Sequence, residues 1–227
     1  SEDDSLTFDE LILDEAQDLL KPGWLDCLDL LLRGGLAAGR WRIFADFDGQ
    51  DIYSRDEEVN GRDLLSEAIG QDLPSYNLRM NCRNTPRVAD LPHRLAGLNP
   101  DYDDVLRPDN GIRPSWFCYS DAGNQRKLLA HLLSELQDEG YCDRDIVVLS
   151  THGPRNCVAG SIGQSPWCDR LRDYQEAEDE DVVRYSSVQA FKGMEAPVII
   201  LTDIEDVEDD EGRALLYVGM TRAVGRL

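Results

Sequence analysis

The chain has 227 residues, of which 41% are hydrophobic, and it carries a formal net charge of −22. This length suffices for one large domain or two small ones, and the apolar share is ordinary for a soluble globular protein. The negative charge opposes a general affinity for phosphate backbones, so any nucleic-acid contact must be local. No apolar run approaches the roughly 20 residues that cross a bilayer, and the acidic N-terminal segment is unlike a signal peptide. We therefore expect a cytoplasmic protein without a membrane partner.

The six cysteines are scattered along the chain without a C-x-x-C pair. Neither a zinc knuckle nor a redox motif is present in the sequence. His152, Cys157 and Cys168 are conceivable metal ligands, but they lie in a Gly- and Pro-rich stretch without a recognised spacing. We expect reduced thiols and no structural metal.

The stretch LILDEAQD, residues 11–18, is an apolar run with two adjacent acids at its end. It is typical of a buried strand in a parallel sheet. In nucleotide-hydrolysing sheets an Asp at such a strand end holds Mg²⁺, and a neighbouring acid orients or deprotonates the attacking water. Asp14 fits the first role and Glu15 the second. The alternative is a surface helix over residues 16–20 with Asp14 as its cap.

The elements that follow this stretch alternate between helix and strand. Apolar spacing predicts a helix over residues 24–33, which a Gly-Gly pair ends. Residues 42–45 predict a short strand with Asp46 and Gln50 beyond its carboxyl end, the edge where open α/β sheets bind ligands. Residues 56–72 are polar and interrupted by Gly, which predicts a linker.

The remainder of the chain continues this alternation. Thr85 is a candidate N-cap, with Pro86 at the first helical position. The pattern predicts strands at residues 75–80, 114–119, 145–150, 182–187 and 198–202, and helices at 123–139 and 211–222. Regular alternation of strands and helices predicts an α/β fold with a doubly wound parallel sheet flanked by helices.

Five short stretches occur in the order LILDEAQD, IFADFDGQDIY, NCRNTP, SSVQAFKGMEAPVIIL and LLYVGMTRA. Together they resemble the UvrD/Rep-like superfamily 1 DNA helicases, from the Walker B segment of that family onward. The most specific are K-G-x-E before an apolar strand and Y-V-x-x-T-R-A on a helix. The resemblance spans nearly the whole chain and implies a P-loop NTPase-like (RecA-like) fold in an ATP-dependent DNA helicase or translocase.

The resemblance also implies a domain organisation. Residues 1–55 correspond to the C-terminal part of the first motor lobe, 56–74 to a linker, and 75–227 to a near-complete second motor lobe. The sequence contains no G-x-x-x-x-G-K-[ST] loop, which in this fold cradles the phosphates of the nucleotide. Because the chain begins close to the Walker B strand, we expect a truncated first lobe. The missing N-terminal motor lobe would then be a partner, and the chain alone would be inactive.

The resemblance assigns catalytic roles with ATP and Mg²⁺ as cofactors. Asp14 would hold Mg²⁺ and Glu15 would activate water. Arg83 and Arg222 match the two arginines that contact the γ-phosphate in the family, and Gln50 resembles the glutamine that senses this phosphate. Cations placed on a second lobe make hydrolysis depend on lobe closure, because negative charge spreads over the γ-phosphate oxygens during transfer.

Nucleotide and DNA contacts follow from the same resemblance. Glu195 matches the acid that contacts the ribose, whose hydroxyls can donate hydrogen bonds to a carboxylate. Lys192 and Gly193 shape the loop before it, where Gly allows close backbone approach. Tyr53 and Gln189 fall at positions that contact single-stranded DNA, the expected nucleic-acid partner.

The sequence departs from the family pattern at several positions. Cys82 stands where an aromatic residue usually stacks on adenine, and Gln189 replaces a histidine. No tryptophan follows Tyr53, and one extra residue separates Asp46 from Gln50. These departures leave open a helicase-derived lobe without motor activity that acts as a binding or regulatory module. An unrelated acidic α/β interaction domain would require the five stretches to be coincidences.

Overall fold

The computed structural model describes residues 6–46, 61–70, 73–96, 102–153, 155–177, 181–205, 207 and 209–227. The chain divides into a first unit, Ser1–Leu78, and a second unit, Arg79–Leu227. Each unit has its own cluster of buried apolar side chains.

The first unit is built around two parallel strands, β1 (Glu10–Leu13) and β2 (Arg40–Ile43), with Leu13 aligned to Ile43. Parallel strands need a crossover connection, which here contains helices α1 (Pro22–Leu31) and α2 (Gly35–Ala38). The chain leaves α1 through Gly34, whose φ of 87° is in the left-handed region that favours glycine. The helix and both strands predicted for this region are confirmed within a few residues.

Only one face of this two-stranded sheet is covered by the residues that the structure describes. Leu13 is buried beneath leucines of α1 and α2, whereas Ile12 is 60% exposed and Phe44 is 47% exposed. The prediction of a buried strand at LILDEAQD is therefore wrong for its outer face. The physical reason is that the helices pack against the inner face alone.

Helix α3 (Gly61–Ile69) lies within the segment that was expected to be a linker. Leu65 and Ile69, four residues apart and thus on one helix face, are buried in the core of the first unit. The polar composition of the segment concealed this short apolar stripe.

The second unit begins with the short parallel pair β3 (Met80–Asn81) and β4 (Asp104–Val105). The one-turn helix α4 (Pro86–Ala89) follows β3, with Thr85 in the N-cap position as predicted. The Thr85 side chain makes no capping hydrogen bond. Instead, its backbone N–H donates to the carbonyl of Val224.

Five parallel strands form the main sheet of the second unit, in the order β6-β7-β5-β8-β9. They are β5 (Ile146–Ser150), β6 (Leu171–Asp173), β7 (Val183–Ser187), β8 (Ala196–Thr202) and β9 (Ala223–Arg226). The helices are α5 (Ala122–Asp138), the one-turn α6 (Trp167–Arg170) and α7 (Asp210–Thr221). The predicted α/β class, a parallel sheet flanked by helices consistent with a RecA-like fold, is confirmed.

Helices α5 and α7 pack on opposite faces of this sheet. Leu129 and Leu133 of α5 join the core cluster that contains Val148 and Val198. Helix α7 approaches the other face so closely that a Cβ on Gly219 would lie 2.5 Å from a methyl carbon of Leu201. Successive strand residues point to opposite faces, so Leu201 and Val198 lie on different sides of β8. The glycine in YVGMTRA is thus explained by packing.

Two predicted strands are not observed as such, and three observed strands, β4, β6 and β9, were not predicted. Residues 114–119 are irregular, and residues 75–79 precede the two-residue strand β3. Strand β6 has only three residues and two of them are charged, so it lacks an apolar run. Strand β9 directly follows Arg222 and contains Gly and Arg, which concealed it.

Among the described residues, no helix is long and apolar enough to cross a membrane. The same part of the chain contains no group of three or more His, Cys, Asp or Glu side chains arranged to bind a metal ion.

Candidate functional site

The first unit presents its two acids where β1 ends. Asp14 is exposed and Glu15 is partly buried. The ladder continues past the strand, because Phe44 N donates to the Leu13 carbonyl and Ala16 N donates to the Phe44 carbonyl, both at 2.9 Å. Glu15 adopts a left-handed conformation with a φ of 50°. Non-glycine residues in this region are strained and concentrate at functional sites.

Gln17 fixes the geometry around Glu15. Its side chain is 3% exposed, and its Nε2 donates to Glu15 Oε2 at 2.6 Å. Its Oε1 accepts from the backbone N–H of Asp46 at 3.1 Å. One buried amide therefore joins the Glu15 carboxylate to the chain beyond β2. Nothing in the local sequence predicts this role, although Gln17 stands two residues after the acid pair.

A short 3-10 helix, Ala16–Asp18, follows the acids, with Glu15 rather than Asp14 at its N-cap position. The surface helix over residues 16–20, weighed as an alternative, is thus reduced to one turn. Gln50 and Tyr53, the other two candidate residues of this part of the chain, lie outside the described residues.

In the second unit, two candidate residues that are 112 positions apart contact each other. Arg83 Nε donates to Glu195 Oε2 at 2.9 Å. The Arg83 side chain is 35% exposed and that of Glu195 is 48% exposed. The structure therefore places Arg83, the predicted phosphate contact, beside Glu195, the predicted ribose contact. Both side chains are accessible to solvent.

Arg222 lies at the junction of α7 and β9 and is only 1% exposed. Its Nε donates to the Val218 carbonyl at 3.1 Å, and its Nη2 donates to Thr221 Oγ1 at 3.1 Å. Its Nη1 lies 3.5 Å from the carbonyl of Met194, the residue before Glu195. In this conformation the guanidinium is engaged by protein groups, so contact with a ligand requires it to turn outward.

These residues gather at the amino-terminal edge of the main sheet. Glu195 immediately precedes β8, and Arg222 immediately precedes β9. Ala196 N donates to the Arg222 carbonyl at 3.1 Å, which ties the two strand starts together. The site thus lies opposite the carboxyl edge at which ligands of open α/β sheets usually bind.

Two asparagines that were not predicted to be functional, Asn81 and Asn84, hold this edge. Asn81 Oδ1 accepts from the backbone N–H groups of Arg83 and Asn84, both at 3.0 Å. Asn84 Nδ2 donates to the carbonyls of Thr221 at 3.0 Å and Ala223 at 2.6 Å. Both asparagines belong to the motif NCRN, on either side of Arg83. The partners of Asn84 outside this motif, Thr221 and Ala223, are 137 and 139 positions away in the sequence.

The loop before Glu195 contains the other candidate residues. Gly193 has a φ of 83°, which explains the glycine in K-G-x-E. Lys192 N donates to the Gln189 carbonyl at 3.2 Å. Phe191 stands between Gln189 and Lys192 in the sequence. It is buried and packs edge-on against the ring of Tyr174, with ring centroids 5.2 Å apart. The aromatic anchor fixes the loop while Gln189 and Lys192 remain partly exposed.

The carboxyl edge of the sheet holds a buried carboxylate. Asp203 follows β8 with a φ of 58° and is 6% exposed. Its Oδ2 accepts from Ser150 Oγ at 2.6 Å and from Val158 N at 3.1 Å. Burial raises the pKa of the neighbouring Cys157 thiol. A protonated, buried thiol is a poor metal ligand. The hydrogen bonds of Asp203 to Ser150 and Val158 hold the loop that follows β5.

A family profile for the UvrD-like helicase C-terminal domain matches residues 183–227. The matched segment runs from β7 to the end of β9 and includes Gln189, Lys192, Glu195 and Arg222. The resemblance to UvrD/Rep-like helicases is thereby confirmed for the C-terminal portion of the chain, residues 183–227. A search of curated proteins found no match.

Proposed function

We propose that this chain is the C-terminal part of an ATP-dependent DNA helicase or translocase of the UvrD-like type. Hydrolysis of ATP with Mg²⁺ would drive movement along single-stranded DNA in the cytoplasm, together with the N-terminal motor lobe. The observation that carries the proposal is the meeting of Arg83, Glu195 and Arg222 at one sheet edge. These residues come from three separate stretches of the sequence, two of them within the matched segment.

The acids of the first unit fit the cofactor chemistry. Mg²⁺ in nucleotide sites is usually bound through one or two carboxylates and the substrate phosphates, so the exposed Asp14 would suffice as its protein ligand. The bound ion neutralises charge on the phosphates. Glu15 would accept a proton from the attacking water or orient it, and Gln17 holds the carboxylate that does so.

The arginines supply positive charge where negative charge grows. A guanidinium beside the transferring phosphoryl group stabilises the transition state more than the bound substrate. Arg83 is held by an exposed ion pair, which phosphate oxygens can replace. Arg222 must leave a buried position. We therefore propose that Arg83 meets the nucleotide first and that Arg222 engages as the transition state forms.

A second candidate is a helicase-derived module without motor activity. It is favoured by the engagement of both arginines with protein groups and by the exposed Cys82, which offers no ring for adenine. Such a module would bind a partner or nucleic acid without turnover.

ATP hydrolysis by the full-length protein, with and without single-stranded DNA, separates the two candidates. The motor proposal predicts DNA-stimulated hydrolysis that Glu15→Gln lowers by roughly 10²-fold or more, because the residue that orients water is lost. Glu10→Gln, the same change at the other end of β1, removes only the ion pair with Arg42 and should keep normal turnover. No hydrolysis by the wild-type protein would favour the module. The 227-residue chain alone, without a phosphate loop, should hydrolyse no ATP.

A further inference from the structure

We infer that Asn84 is a positioning residue that holds Arg83 and Arg222 as one unit, an inference that rests on the proposed function for its catalytic consequence. Asn84 is 2% exposed, and both ends of its side-chain amide are used. The carboxamide oxygen accepts from Asn81 Nδ2 at 2.9 Å. The nitrogen donates to the carbonyls of Thr221 and Ala223, on either side of Arg222.

The direction of these bonds explains why the residue is an asparagine. Two carbonyl oxygens converge on the nitrogen at 3.0 and 2.6 Å, and only an NH₂ group can donate to both. Carbonyls at a helix end lack intrahelical donors and need such partners when buried. Asn84 thus fixes the backbone at the end of α7, from which the Arg222 side chain departs.

Asn81 extends the same network to Arg83. Its side-chain oxygen binds the backbone N–H of Arg83, and its side-chain nitrogen binds Asn84. A continuous chain of hydrogen bonds therefore runs from the Arg83 backbone through two buried amides to the peptides that flank Arg222. Because these groups are buried, displacement of one end shifts the other instead of being absorbed by water.

The consequence concerns turnover more than nucleotide binding. Misplacement of a catalytic group by about 1 Å can cost on the order of 10²-fold in rate. In the full-length protein, Asn84→Ala should lower kcat by roughly 10-fold to 100-fold while KM for ATP changes by less than about 3-fold. In combination with Arg83→Ala or Arg222→Ala, its effect should be much less than additive.

The matched control is Asn110→Ala. Asn110 Nδ2 donates to the Gly225 carbonyl of β9 at 2.8 Å, and its Oδ1 accepts from a nearby backbone N–H. The residue type and the bonded strand are the same, but the bond is exposed and its acceptor, Gly225, lies beyond the two residues that flank Arg222. This variant should keep normal turnover.

A readout in the 227-residue chain separates positioning from the proposed function. The side-chain Nε–Hε signals of Arg83 and Arg222, assigned by Arg→Lys substitution, should both shift and broaden in Asn84→Ala and in the isosteric Asn84→Asp. They should stay in place in Asn110→Ala. Unchanged signals in a folded Asn84 variant would overturn the inference. Unfolding of both Asn84 variants, seen by thermal melting, would also overturn it, since Asn84 would then be a purely structural residue. If the wild-type protein hydrolyses no ATP, the proposed function fails while these signals still decide the positioning claim.

Discussion

The ion pair between Arg83 and Glu195 links two residues whose neighbours in the sequence give no hint of contact. Both side chains are about a third to a half exposed, so the pair is screened by water and adds little to stability. Because both side chains are partly exposed, a ligand can replace either partner of this ion pair. Under the proposed function, a phosphate would bind the guanidinium and a ribose hydroxyl would donate to the carboxylate, and neither exchange would disturb the core.

We expect Glu195→Gln in the full-length protein to raise KM for ATP severalfold with little change in kcat. The physical reason is that a ribose contact is made equally in the ground and transition states. Asp109→Asn is the control, because it removes the partner of Arg87 from an ion pair of similar length and exposure. Steady-state kinetics of both variants checks this, and a large fall in kcat for Glu195→Gln alone would assign the acid to the chemical step.

Single residues also show which roles the sequence does not predict. The acids and arginines were assigned because they stand in short motifs that resemble those of UvrD-like helicases, and their catalytic roles stay predictions. Gln17 and Asn84 were not, because their roles depend on partners up to 139 positions away, at the end of β2 and around Arg222. An uncharged amide has no local signature of such a bond. The sequence around Glu15 also gives no indication of its left-handed backbone conformation.

At the scale of elements, predictability followed length and apolar content. Strands β5 and β8 and helices α5 and α7 were predicted because each contains several buried apolar residues. Strand β7 was also predicted, although Val183 is its one buried apolar residue. Strand β6 is short and mostly charged, and β9 is short and contains Gly, so both owe their conformation to pairing with β7 and β8. Tertiary pairing of this kind decides structure where local pattern is weak.

Helix α5 and strand β9 are joined by a bidentate ion pair between Glu139 and Arg226. The hydrogen bonds from Arg226 hold the pKa of Glu139 below its ordinary value of 4.5. A carboxyl with a lowered pKa in the folded state contributes stability above its unfolded pKa and loses it as pH falls through the folded one. We therefore expect the free energy of unfolding of the second unit to fall as pH drops from 4.5 toward that lower pKa.

Glu139→Gln should lower stability at neutral pH and flatten this part of the pH profile. Denaturant unfolding from pH 7 to pH 3, monitored by fluorescence, measures both effects. Glu135→Gln, which removes an exposed contact with His131 on the same helix, is the control and should leave the profile unchanged. An identical acid slope for wild type and Glu139→Gln would show that the pair does not set it.

At the scale of the whole molecule, the charge of −22 limits how nucleic acid can bind. Any phosphate contact must come from a few local cations against a repulsive background. We predict that the 227-residue chain binds single-stranded DNA weakly and that rising salt abolishes the binding. A fluorescence titration at several salt concentrations tests this. Sub-micromolar, salt-insensitive binding would contradict it and would favour a dedicated binding module.

The proposed catalytic residues are divided between the two units of the chain. The first unit carries Asp14 and Glu15, and the second carries Arg83 and Arg222. Under the proposed function, one reaction uses both sets and a phosphate loop of the N-terminal lobe would supply most ground-state contacts, so loss of an arginine should spare nucleotide binding. The kcat should fall instead. The linker predicted over residues 56–74 contains α3, because the apolar face of this helix was hidden in a polar segment.

The kcat and the nucleotide Kd of full-length Arg222→Ala, measured beside Glu15→Gln and the double variant, test this account most directly. Thermal melting must first show that the variants fold, because Arg222 is buried. We predict that each single change lowers kcat by roughly 10²-fold or more with Kd nearly unchanged, and that the double variant is far from additive. Normal turnover in Arg222→Ala would contradict the account and leave the binding module as the better description.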